Sequence, residues 1–154
     1  MPENSQQYLF TWSAAKLLTI GAVQRLNFNR SRYDETSSAH DGKQSLEADA
    51  DSVISELHAY LNVQLQFEKS GDEAFLTGCF LIINKLDNLL HRLHHTLLNY
   101  DAEIIVDMIQ IIDEERNQWS AATINDIDDF PSTSEVSASI RNMFRLERSL
   151  SRLP

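Results

Sequence analysis

Asp87, His91, His94 and His95 form the cluster with the clearest capacity for chemistry. On a helix, Asp87, His91 and His95 fall at i, i+4 and i+8 and share one strip. His91 and His95 have the spacing of two imidazole ligands that hold a divalent metal once a further ligand converges. The sequence does not identify that ligand. Glu56 and His58 are candidates from an earlier segment, but there is no Glu-x-x-His pair of the di-iron bundle kind. The plainer account has the histidines edging an apolar face and meeting solvent or nearby carboxylates. No metal and no other cofactor is assigned.

Two other patterns carry less. Asp113-Glu114-Glu115 is followed by Arg116 and reads as the solvated side of a helix. Local ion pairs there are worth only about 0.3–0.5 kcal/mol each. Serines are plentiful, but none sits in a Gly-x-Ser-x-Gly turn, and no convincing base accompanies one. No catalytic residue is assigned, and the expectation is a protein that is not an enzyme.

The elements that would position these residues are long helices. The chain has 154 residues and a 42% hydrophobic fraction, enough for one domain with a real core. Four Gly and three Pro leave few turns. The single cysteine, Cys79, lies in an apolar run and reads as a buried side chain, with no sign of an oxidising compartment. The polar Met1–Gln7 stretch lacks the positive region of a signal peptide, and no apolar run approaches the roughly 18 residues of a membrane span. A cytoplasmic location without a membrane span is expected. The net charge of −10 would repel a phosphate backbone, so no nucleic acid is expected as main partner.

Five helical segments are predicted. The first covers about Tyr8–Leu26, followed by a long polar loop, Asn27–Gln44. The second covers about Ser45–Gln66, with Leu46, Ala50, Val53, Ile54, Leu57, Leu61 and Leu65 inward and Gln64 interrupting the stripe. Ser70-Gly71-Asp72-Glu73 fits a capping box that opens the third segment, Glu73–Tyr100. Asp101 is a good N-cap for the fourth, Ala102–Ala121. An acidic linker, Ala122–Pro131, precedes a second capping box at Ser132-Thr133-Ser134-Glu135. The last segment spaces Val136, Ile140, Met143, Phe144 and Leu150 as an apolar stripe broken by Glu147, with Arg141, Arg145, Arg148 and Arg152 interleaved. The predicted fold is all-α: an antiparallel four-helix bundle with an additional amphipathic C-terminal helix. Residues 1–130 make the acidic bundle, and residues 131–154 make a basic helix that packs on it or extends it.

The apolar content exceeds what a simple solvent-facing helix needs. Ile104, Ile105, Met108, Ile109, Ile111 and Ile112 cover an arc of roughly 160° at about 100° per residue, and Val106 lies outside it. With Leu90, Leu93 and Leu97 of the preceding segment, Ile104, Ile105, Met108, Ile112 and Trp119 form the expected partner-binding face. Trp12 and Trp119 either plug the ends of the bundle or anchor a partner. From Pro131 onward, four Arg against two Glu give +2, which leaves −12 on the first 130 residues. Three placements of this tail stay open: packed back over the third and fourth segments, engaged in self-association or another protein, or laid on an anionic membrane. In the first, Ile140, Met143, Phe144 and Leu150 serve as a regulatory lid.

Several local sequences, in order, resemble the flagellar export chaperone family FliS. Thr11-Trp12-Ser13-Ala14-Ala15-Lys16-Leu17-Leu18 looks like the family's Thr-Ala-Ser-Pro-x-x-Leu-Leu stretch, with Ala14 in place of the proline. Gly21-Ala22-Val23-Gln24-Arg25-Leu26 is similar to its Gly-Ala-x-x-x-Leu segment. Val53-Ile54-Ser55-Glu56-Leu57 and Glu68-Lys69-Ser70-Gly71 resemble Ile-Ile-x-Glu-Leu and Glu-x-Gly-Gly. Asp101-Ala102-Glu103-Ile104 opens what looks like the fourth helix, closing with Glu115-Arg116 and Trp119. Leu86-Asp87 stands where the family shows Tyr-Asp, and the tail after Phe130 has no counterpart.

The resemblance implies a non-enzymatic secretion chaperone. Its protein client would be a secreted, helix-forming segment such as the C-terminal part of flagellin, kept from assembling too early. A disordered client costs ordering entropy, so its receptor needs long apolar grooves. The alternative is a small acidic interaction or immunity protein that neutralises a basic partner. A homodimer formed through the amphipathic C-terminal tail is a further expectation.

Overall fold

The computed structural model describes residues 42–154, and among these the protein is all-helical with no strand. Four α-helices are present: α1 (Gly42–Ser70), α2 (Ala74–Leu97), α3 (Ala102–Gln118) and α4 (Thr133–Leu150). Two single 3-10 turns, Ala121–Thr123 and Ile127–Asp129, lie between α3 and α4. The predicted Tyr8–Leu26 helix, most of the Asn27–Gln44 loop, Trp12 and the N-terminal part of the family resemblance lie outside the described residues. None of the described helices is long and apolar enough to cross a membrane.

The helix ends show why the chain breaks where it does. Gly71 takes φ +68°, the left-handed conformation open to glycine, and its N–H donates to Phe67 O at 2.7 Å. This stops α1 four residues beyond its predicted end. The capping box expected at Ser70–Glu73 does not form, because Ser70 belongs to the end of α1 and its hydroxyl donates to Gln66 O at 2.8 Å. Asp72 acts instead and accepts from Ala74 N–H at 3.0 Å. Asp101 caps α3 as expected, accepting from Glu103 N–H at 3.2 Å. The Ser132–Glu135 capping box opens α4, with Ser132 Oγ accepting from Glu135 N–H at 3.3 Å.

Each helix packs on two others. α1 meets α2 and α4, and α3 also meets α2 and α4. Cross-contacts place α4 along α1 head to tail. At the start of α1, Lys43 Nζ donates to Leu153 O at 2.8 Å, beyond the end of α4; towards its far end, Tyr60 Oη donates to Pro131 O at 2.8 Å, just before α4 begins. Arg92 of α2 clamps the buried carboxylate of Asp49 on α1 through two hydrogen bonds, one at 2.8 Å.

The buried stripe of α1 departs from prediction near its end. Leu46, Ala50, Val53, Ile54 and Leu57 are in the core, but the line continues through Tyr60 and Gln64. Leu65 is 40% exposed, and Leu61 is only partly buried. Alternating steps of three and four residues carry the inward direction from Leu57 to Tyr60 and Gln64, which leaves Leu61 and Leu65 about 100° round the helix. Gln64 is satisfied inside by the thiol of Cys79, which donates to Oε1 at 3.5 Å. Burial pushes that thiol up to about 12, so it is an inert core side chain.

The C-terminal segment belongs to this core. Val136, Met143, Leu146 and Leu150 have no accessible surface, and Leu153 just beyond the helix is also buried. Of the four residues expected to act as a lid, Met143 and Leu150 are therefore core, Ile140 is partly buried against it, and Phe144 is 47% exposed. The reason is partnership. α4 leans chiefly on α1, whose apolar face needs a cover, and only secondarily on α3.

Glu147 sits in this α1–α4 seam, which explains the break it makes in the apolar stripe. Its Oε1 is buried without a hydrogen-bond partner. Hydrogen bonding to Asp51, with burial and the charges of Asp51 and Glu47, raises its carboxyl from 4.5 to about 7. The folded chain thus holds a proton there that the unfolded chain releases. The associated stability is fully present below about 4.5 and is lost as pH rises through about 7. With partial exposure discounted, the loss is on the order of 2 kcal/mol. Melting temperatures from pH 5 to 8 are expected to fall for the native chain and to stay flatter for Glu147→Gln. Equal slopes in both would contradict this account.

Candidate functional site

The histidine strip is divided among separate partners. Asp87 Oδ2 accepts from the backbone N–H of Ala121 at 2.9 Å and so pins the first 3-10 turn to α2. His91 Nδ1 lies 3.2 Å from an Arg116 guanidinium nitrogen, and His94 Nε2 lies 3.3 Å from Asp113 Oδ1. His95 is exposed. Among the described residues, no three His, Cys, Asp or Glu side chains come together in a way that could hold a metal ion. The strip acts here as a set of polar links from α2 to α3 and to the turn that follows it.

The expected partner-binding face is mostly interior. Leu90, Leu93, Leu97 and Ile112 have no accessible surface, and Ile105, Met108 and Trp119 are also buried. Only Ile104, at 49% exposure, presents a surface. This corrects the expectation of an open apolar groove across these eight residues. The wide arc of α3 is consumed because α2 covers one flank and α4 the other. Outside that face, Leu98 and Val106 are exposed near Ile104 in sequence, around the α2–α3 reversal.

A buried polar node sits where α1, α3 and α4 meet. Trp119 Nε1–H donates to Ser139 Oγ at 3.0 Å and to Glu115 Oε2 at 3.2 Å. Asn142 Nδ2 donates to Glu115 Oε1 at 2.8 Å, so both carboxylate oxygens have partners. Tyr60 packs edge-on against the indole, with ring centroids 4.9 Å apart. Its phenol is pushed above its ordinary value by burial, and it stays neutral as a donor to Pro131 O. Nearby, Gln118 donates to Glu135, which is the main reason that carboxyl sits below its usual range. Of these residues, only Trp119 was singled out from sequence as a site candidate. Glu115 was detectable: it lies three residues after Ile112 and four before Trp119, inside the buried arc.

The α3–α4 seam remains open on its outer side. A groove of about 470 Å³ runs there, lined by Asp107, Gln110, Ile111 and Glu114 from α3. Opposite them stand Arg145, Arg148 and Ser149 from α4, with Arg152 just beyond the helix end. Ile111 is the buried apolar floor, and the charged side chains are exposed walls. The groove has the size of a small-molecule site or of a slot for a few side chains. Comparison with protein-family models, with curated proteins and with solved structures yields no match. The likeness to the export chaperones therefore rests on the residues quoted above.

Proposed function

We propose that this protein is a non-enzymatic, cytoplasmic secretion chaperone that binds an apolar, helix-forming segment of an exported protein, flagellin-like in kind. In this reading α1 to α4 form an antiparallel four-helix bundle in which the C-terminal helix is a full member. The observation that carries the proposal is the open α3–α4 seam. It joins an apolar floor at Ile111 to charged walls, on the helix that also exposes Ile104. A segment that folds on docking needs apolar contact along its length, and Ile104 and Ile111, seven residues apart on one face of α3, offer that contact beside the charged walls. The net charge of −10 keeps the exposed apolar side chains Leu98, Ile104 and Val106 compatible with solubility.

The test mixes the full chain with a flagellin C-terminal segment and follows circular dichroism and calorimetry. Helix content above the sum of the parts is expected, with affinity at least tenfold lower for Ile104→Glu, whose exposed site lets the variant fold. No helix gain and no heat would refute the chaperone reading. The excess negative charge of residues 1–130 favours one alternative, an immunity-like protein that neutralises a cationic partner. Tight, salt-sensitive binding to a basic toxin domain, with none to the flagellin segment, would select it.

A further inference from the structure

The charge pattern of the α3–α4 groove specifies its occupant more closely. We infer that the groove recognises a polypeptide segment with carboxylates along one edge, an apolar side chain at its centre and a basic residue on the opposite edge. This deepens the client-binding reading above and rests on it.

Three arginines, Arg145, Arg148 and Arg152, gather in the last third of α4 and just beyond it, in a chain of net charge −10. Arg116 and Arg92 have acidic partners within ion-pair distance, but among the described residues Arg145, Arg148 and Arg152 form no ion pair. The helix dipole accounts for a cation such as Arg148 in the last turn. It does not account for three guanidiniums lining one open groove. Guanidinium forks match carboxylates in a bidentate way, so this wall is suited to acidic side chains.

The facing wall decides between kinds of anion. Asp107 and Glu114 stand on α3 seven residues apart, a rise of roughly 10 Å, and the arginines from Arg145 to Arg152 span a similar length. A compact polyphosphate placed between the walls would gain from three cations and be opposed by two carboxylates. A peptide of mixed charge satisfies both walls and sets an apolar side chain on Ile111. Two parallel lines of opposite charge also fix the direction in which the segment lies, which gives specificity more than raw affinity.

The experiment selects a phage-displayed library of helical fourteen-residue segments on the full chain, and separately on the Arg145→Glu/Arg148→Glu variant. Both substitutions are at exposed positions, and matching thermal melts verify the fold. Selection on the native chain is expected to enrich segments with an acidic edge. Synthetic copies should bind the variant at least tenfold more weakly, and the variant should enrich segments with a lysine edge. Identical enriched sequences on both proteins would overturn the inference. So would saturable shifts of the groove amides on adding inorganic tripolyphosphate while no segment is enriched. If the flagellin segment binds with unchanged affinity to the variant, the chaperone reading survives and this inference falls.

Discussion

Deleting Pro131–Pro154 is expected to unfold the protein rather than to uncover a groove on an intact one. Val136, Met143, Leu146 and Leu150 have no accessible surface, and Leu153 is almost as deeply buried. Each such side chain is worth about 1.5–3 kcal/mol on burial. Their combined loss is comparable to the whole stability of a typical domain, about 5–15 kcal/mol. The deletion also removes the carbonyls that hold Lys43 and the Pro131 carbonyl that receives the Tyr60 phenol. The expected result is loss of the cooperative thermal transition together with strong hydrophobic-dye binding. A truncated chain that keeps a sharp transition while binding more dye would show that α4 is a removable cover, and would restore the lid.

That contrast marks where sequence reasoning stopped. An amphipathic helix announces an apolar face, but nothing in its own residues says which neighbour covers it. Met143 and Leu150 therefore read equally well as lid, partner contact or core. The same limit applied to Ile105, Met108 and Ile112: their arc was visible, and its excess vanished once α4 was found against α3. Local signals fared better where a single motif had no competitor. Asp101 and the Ser132–Glu135 box cap their helices as their types require. At Ser70–Glu73 two signals overlapped, and the left-handed Gly71 won by ending α1 through Ser70.

Acidic residues were the other blind spot. Glu115 stands in a helical run that looks solvated and Glu147 breaks an apolar stripe, yet Glu115 is buried and Glu147 is partly so. Composition treats a carboxylate as surface because burying it without donors is costly. Glu115 escapes that cost through Asn142 and Trp119, residues 27 and 4 positions away in sequence. Glu147 lessens it through a carboxyl raised to about 7 opposite Asp51, while its Oε1 stays without a partner. Neither solution can be seen until the helices are brought together. The groove was legible only in part: the arginine spacing was plain, but its facing wall of Asp107 and Glu114 required the α3–α4 seam.

Trp119→Ala is expected to produce the largest loss of any single substitution, about 3–5 kcal/mol in denaturant unfolding. Among the described residues the indole is the largest fully buried side chain, and it fills the junction of α1, α3 and α4, with Tyr60 edge-on against it. Removing it leaves a cavity and strips a donor from both Ser139 and Glu115. Trp119→Phe separates the two effects and remains measurable should the alanine variant fail to fold. It retains most of the apolar volume but gives no N–H, and should cost about 1–3 kcal/mol for the unpaired acceptors. Glu115→Gln in the same background supplies an independent check through a double-mutant cycle. Because indole and carboxylate share one network, the double change should cost less than the two single costs added, by about 1 kcal/mol. Strict additivity would mean that the node is a set of independent contacts. A Trp119→Ala variant within about 1 kcal/mol of the native chain would mean that the junction is not central to the fold at all.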